Sequence, residues 1–170
     1  MNTLTTAYLS RAETWLFVTT LVYFLMNGAQ LFETIVIVPK WTAAPPQSFQ
    51  LFSGKYGLDF KPFWIGMHSI HEITFILAII FCWKIDPVRN WLLILFVVHF
   101  AVRIWTLTYF APNIIEFQKI ADSVKQTPDL INSANLWRNL NYVRVALFVL
   151  ISLGLIPLCV KVMHIANMRN

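Results

Sequence analysis

Charge is scarce in this chain: 12% of its 170 residues are Asp, Glu, Lys or Arg, against 58% hydrophobic, with a mean hydropathy of +0.62. A water-soluble domain carries about twice that charged share, so a soluble globular fold is excluded and lipid becomes the expected solvent. Glycine is also scarce, with five residues. A broad small-residue face of the kind that packs a purely structural membrane subunit is therefore not evident. Only two cysteines exist, Cys82 and Cys159, without the CxxC spacing of a redox pair or metal knuckle; packed thiols are expected rather than a disulfide. No low-complexity tract, long linker or internal repeat is evident. The net charge of +5 needs no nucleic-acid partner, because a modest basic excess is ordinary beside anionic lipid.

What the chain has instead is apolar length. A membrane crossing needs about 20 apolar residues, and four windows supply it: 14–38, 62–83, 91–111 and 141–160. The expected fold is all-α, an integral membrane four-helix bundle forming one domain over 1–170. Trp15, Trp41, Trp64, Trp83, Trp91, Trp105 and Trp137 fall mostly near span ends, where amphipathic rings sit at headgroup level. The amino terminus has Glu13 and polar threonines before a long first span, so a cleaved signal is not expected. Arg11, Lys84, Arg89, Lys161 and Arg169 flank the spans on one side in short segments. On the other side Lys40, Lys55, Lys61, Lys119, Lys125 and Arg138 are diluted by Asp59, Glu116, Asp122 and Asp129 in longer loops. Both termini are accordingly expected in the cytoplasm.

The two longer connections are not simple linkers. Residues 40–61 combine Pro45, Pro46, Gly54 and Gly57 with Phe49, Phe52, Tyr56 and Phe60, a turn-rich but apolar segment expected to cap the bundle. Residues 113–136 place Ile114, Ile115, Phe117 and Ile120 beside Glu116, Lys119 and Asp122. That pattern predicts a short interfacial helix broken near Pro128.

Each span also carries polar groups at helical spacing: Asn27, Gln30 and Glu33; His68, His71 and Glu72; His99, Arg103 and Thr106; Trp137, Asn141 and Arg144. Ionisable groups within a lipid span are expensive and default to functional candidates. Steps of three or four residues return to one helix face, so each helix can turn a polar seam inward. The seams fall in the half of the bundle nearest the longer loops, and two arginines there balance two carboxylates in charge. The other half, Phe75 to Phe81 and Leu147 to Pro157, offers little polar beyond Ser152, which argues against a continuous pore.

Three chemistries fit. Histidines and carboxylates on facing helices can bind a transition metal, with His68, His71, Glu72 and Glu33 as ligands, or a haem between His71 and His99; yet HSIHE is neither HExxH nor the ExxH of di-iron bundles, and no cofactor is the leading expectation. Alternatively, the same groups act as acid and base on an apolar small molecule. His68 or His71 would then be the base, oriented by Glu72, while Arg103 and Arg144 hold the oxyanion. Proton or solute handling, or a place in a homo-oligomer or larger membrane complex, needs only the seam. The bland alternative is that Asn27, Gln30 and Thr106 are interhelical hydrogen-bonding groups and the arginines structural partners of Glu33 and Glu72. His164 reads as a headgroup-level residue.

Asn27 and Gly28 leading to Pro39, the third span ending in Pro112 and Asn113, and the run Trp137-Arg138-Asn139-Leu140-Asn141-Tyr142-Val143-Arg144 resemble the anthrone-oxygenase-like family of small four-helix membrane proteins. The resemblance implies a four-helix membrane fold and cofactor-independent oxygenation of polycyclic anthrones, in which the substrate carbanion itself reacts with oxygen; the residues themselves suit a hydrophobic aromatic or quinone-like small molecule. It bears on Asn113, Trp137, Asn141 and Arg144. The His68, His71 and Glu72 cluster departs from that family's pattern.

Overall fold

A computed structural model describes residues 4–52, 56–121 and 126–168. Gly54, Lys55, Asp122, Lys125 and Arg169, used above, lie outside the described residues. Among those described there is no strand, and the chain is an all-α four-helix bundle. Four continuous helical stretches are long and apolar enough to cross a membrane: Thr6–Trp41, Lys61–Phe81, Asp86–Lys119 and Pro128–Asn167. All four also leave large apolar side chains uncovered, for example Phe17, Ile35, Ile65, Val97 and Leu150. Water would penalise such a surface, whereas acyl chains match it. The protein is a multi-pass membrane protein.

The stretches match the expected windows, three of them run longer, and all four contain proline. The first comprises α1 (Thr6–Phe32), a π-helical turn (Glu33–Ile37) and α2 (Val38–Trp41). The second is α3 (Lys61–Phe81). The third comprises α4 (Asp86–Trp105), a π-helical turn (Thr106–Phe110) and α5 (Ala111–Lys119). The fourth is α6 (Pro128–Asn167), which also holds Pro157. Pro39 and Pro112 do not end their helices because each is preceded by a π turn. In these turns the Val38 N–H bonds the Glu33 carbonyl and the Ala111 N–H the Thr106 carbonyl. The α-helix then restarts with proline in its first two residues, where a missing N–H costs little. The short helix expected after Pro112 does form, as α5, but in direct continuation of α4 rather than beyond a loop. Pro128 opens α6, so Trp137 to Arg144 lie well inside a helix instead of at its start.

The two π turns end two residues before their prolines, and the same separation recurs elsewhere. Pro112 follows Pro39 by 73 residues (112 − 39), as Trp137 follows Trp64 (137 − 64) and Phe148 follows Phe75 (148 − 75). At the same offset Trp64-x3-His68-x2-His71-x3-Phe75 lies against Trp137-x3-Asn141-x2-Arg144-x3-Phe148.

The chain divides into two compact units. The first comprises Met1–Asn27, Trp64–Phe100 and Phe148–Asn170. Its helices are tied by hydroxyl and amide hydrogen bonds, from Thr19 Oγ1 to the Thr74 carbonyl (2.7 Å) and from Asn27 Nδ2 to Ser152 Oγ (2.9 Å) and the Phe148 carbonyl (3.3 Å). Such bonds supply packing energy that burial alone cannot supply in lipid. The second comprises Gly28–Phe63 and Ala101–Leu147, around a core of Val38, Trp41, Phe49, Phe110, Phe117, Ala121, Ala134 and Trp137. The apolar connection after Trp41 folds into it: a 3-10 turn (Gln47–Phe52) sinks Phe49 completely, its ring stacked on Phe117 at 4.8 Å.

Candidate functional site

In the second unit the polar residues gather around Arg144 on α6. Its Nη2 donates to Asn141 Oδ1 at 2.6 Å, and Asn141 Nδ2 donates to Thr34 Oγ1 at 3.0 Å. Both ends of the Asn141 amide are thus committed, which fixes the guanidinium. The face of that guanidinium lies over the Phe110 ring, 4.4 Å from its centroid, with the Trp137 ring at 5.9 Å. Trp137 is itself held by a bond from Nε1 to the Phe110 carbonyl at 3.2 Å.

Thr34 belongs to one π turn and Phe110 to the other, so one proline-linked distortion reaches Arg144 through Asn141 and the other lies directly against it. That is the usual association of π turns with functional positions. Glu33, the first residue of the earlier π turn, and Arg103 on α4 are the charges that act on Arg144, the one attracting and the other opposing it. Two buried atoms in this unit have no hydrogen-bond partner among the described residues, Arg144 Nε and Gln30 Oε1. One is a charged donor and the other a neutral acceptor, and buried groups left this way call for an explanation.

The remaining candidates of this unit are less engaged. Thr106 Oγ1 donates back to the Val102 carbonyl and Asn113 Nδ2 to the Tyr109 carbonyl at 2.7 Å, so both serve their own helix. Arg138 Nη1 reaches Thr42 Oγ1 at 3.4 Å.

The histidines assemble in the first unit. His71 and His99 are fully buried and His68 nearly so. A residue the sequence reading passed over, Tyr23 on α1, stands among them: its hydroxyl is 2.9 Å from His99 Nδ1 and its ring 4.0 Å from that of His71. Phe75, Phe96 and Phe148 close round the group, and His68 faces Trp64 at 5.5 Å. Tyr23 was legible in principle, because it lies one turn before Asn27 in a stripe, Tyr23-Asn27-Gln30-Thr34, of which only the middle looked unusual. Glu72 is half-buried on α3, one turn beyond His68.

Residues of the expected seam occur in both units. The metal set drawn from His68, His71, Glu72 and Glu33 is not assembled: among the described residues no three His, Cys, Asp or Glu side chains form a group able to hold an ion. His71 is in edge contact with Tyr23 and His99. The His71 and His99 rings lie 4.6 Å apart, edge to face, leaving no gap for a porphyrin between them.

No family model, curated protein or solved structure matches this chain. The site's chemistry rests on its own residues.

Proposed function

We propose that the Arg144 site binds the anion of a flat, apolar phenol, anthrone or quinol drawn from the bilayer, and that the protein is an oxidoreductase of the cofactor-independent oxygenase type. The observation that carries this is a guanidinium fixed by Asn141, backed by two aromatic rings, and left with a buried Nε that has no acceptor among the described residues. An aryl oxide supplies that acceptor. Charge stabilisation by a preorganised donor is strongest where water is excluded.

The chemistry follows from the groups at hand. An anthrone methylene, acidified by two aryl rings and the ring carbonyl, loses a proton to the Glu33 carboxylate, and the resulting charge resides on the ring oxygen facing Arg144. Arg103 adds positive potential, and Asn141 and Trp137 position Arg144 without touching substrate. The carbanion forms a bond to dioxygen, the resulting peroxide takes the proton back from Glu33 to become a hydroperoxide, and loss of water leaves a second carbonyl. No metal is needed for the electron count. The resemblance noted above points the same way, with Glu33 taking the base role first assigned to a histidine. The basic flanks further favour cytoplasmic termini.

The test is oxygen uptake by the detergent-purified protein with anthrone as substrate. Arg144→Met should lower the rate by about 10²–10³, the usual loss of an oxyanion donor, and Glu33→Gln should do so without weakening binding of a quinone product. Undiminished uptake in a folded Arg144→Met variant would overturn the assignment.

A further inference from the structure

The histidine group of the first unit takes no part in that chemistry, yet it is too costly to be filler. Three of the chain's four histidines and one tyrosine sit together in a lipid-spanning region, where apolar side chains of similar volume would pack at no desolvation cost. One bond in the group has a defined chemical meaning. The Tyr23 hydroxyl and His99 Nδ1 are 2.9 Å apart, and with the phenol donating, His99 carries its own proton on Nε2.

A tyrosine can lose one electron at an accessible potential only if its phenolic proton leaves at the same time, because the radical cation is a very strong acid. In water the solvent takes that proton. Tyr23 is fully buried, so the acceptor must be built in, and an imidazole at hydrogen-bond distance is the side chain suited to it near neutrality. The surroundings then protect the product. Phe75 and Phe148 rings lie against the phenol, and Phe96 packs behind them on Phe75 and His99, keeping water and other radicals away.

We propose that Tyr23 and His99 form a redox centre, in which Tyr23 gives one electron to a lipid-soluble phenoxyl or semiquinone radical and its proton passes to His99 Nδ1. The balance is complete: tyrosine, neutral imidazole and aryl-oxyl radical become tyrosyl radical, imidazolium and aryl oxide. The oxidant is reduced by one electron, and the O–H bond of Tyr23 is the only bond broken. His71, in edge contact with both rings at 4.0 and 4.6 Å, is a positioning residue that holds the pair together. This centre does not depend on the Arg144 site; its residues lie in the other unit and its readout is a radical rather than oxygen uptake.

The test is flash oxidation of the full chain in detergent by a photogenerated ruthenium(III) polypyridyl complex, with freeze-trapping and electron paramagnetic resonance. The wild type should give a tyrosyl signal persisting for seconds. That component should vanish in Tyr23→Phe, a change of one hydroxyl whose thermal melting confirms folding. Exposed Tyr56 and Tyr142 supply only short-lived signal, by radical coupling. His99→Phe should cut the persistent yield at least tenfold. Should His99→Phe fail to fold, the g-anisotropy of the wild-type radical decides instead, since a hydrogen bond from imidazolium lowers its largest component. A persistent signal retained in Tyr23→Phe, or a Tyr23 radical showing no hydrogen bond, would overturn the proposal.

Discussion

Exchanging Glu33 for glutamine and Arg144 for methionine, singly and together, probes the charge arrangement of the site directly. Methionine keeps much of arginine's length without its charge. Alone, Arg144→Met removes a charge-assisted bond to Asn141 at 2.6 Å, worth about 1.5–3 kcal/mol, and the stacking on Phe110 at 4.4 Å, worth about 1–2 kcal/mol when desolvated. Against this, taking a guanidinium out of a lipid span returns about 2.5–3.5 kcal/mol on insertion scales. These contributions nearly cancel. What tips the balance is the attraction between Glu33 and Arg144, since breaking a buried pair of opposite charges costs about 3–5 kcal/mol.

Arg144→Met should thus be destabilised by about 3 kcal/mol, and adding Glu33→Gln should recover most of it. The coupling in the double-mutant cycle should be about 1–3 kcal/mol, read from thermal or denaturant unfolding in detergent. Arg103→Met combined with Arg144→Met should couple with the opposite sign, since Arg103 opposes Arg144. Additivity within about 0.5 kcal/mol for the Glu33 pair would refute the reasoning, for it would mean the carboxylate does not need the arginine.

Other consequences are simpler. Trp137→Phe loses the 3.2 Å bond to the Phe110 carbonyl and should cost about 1 kcal/mol in unfolding experiments, while lowering oxygen uptake more than stability because Arg144 loses its backing. Phe49→Ala empties a fully buried site and should destabilise by about 3–5 kcal/mol, with protease cleavage appearing first between residues 42 and 61. Burial, reinforced by Cys159, pushes the Cys82 thiol up to about 12. Below the ordinary thiol value near 9 this adds its full share to stability, and the share is lost as pH rises from there toward 12. A soluble maleimide at pH 8 should therefore leave Cys82 unlabelled in folded protein and label it after denaturation. Labelling at the rate of a free thiol would contradict that burial.

The four spans were legible because the requirement for apolar length is nearly independent of packing. So was the grouping of Arg144, Asn141 and Trp137, which share one face of a helix at steps of three and four residues. Two features resisted. A proline inside an apolar run reads as a helix end, and whether a π turn lets the helix continue depends on backbone hydrogen bonds that leave no residue signature; hence α5 was detached from α4, and α6 was begun too late. Polar stripes fix which face of a helix is special but not which neighbour it meets. Asn27 and Gln30 lie three residues apart on α1, yet they belong to different units. Tyr23 was missed for a third reason: an aromatic ring in an apolar span is unremarkable until His99 is found at its hydroxyl.

The most direct measurement is the absorption spectrum of a hydroxylated anthraquinone bound to the purified protein at a pH where the free dye is neutral. A site built on Arg144 should bind the dye as its anion, giving the red-shifted spectrum of the ionised form, and Arg144→Met should return it to the neutral one. A neutral spectrum in the wild type, or an ionised one that survives Arg144→Met, would contradict the account.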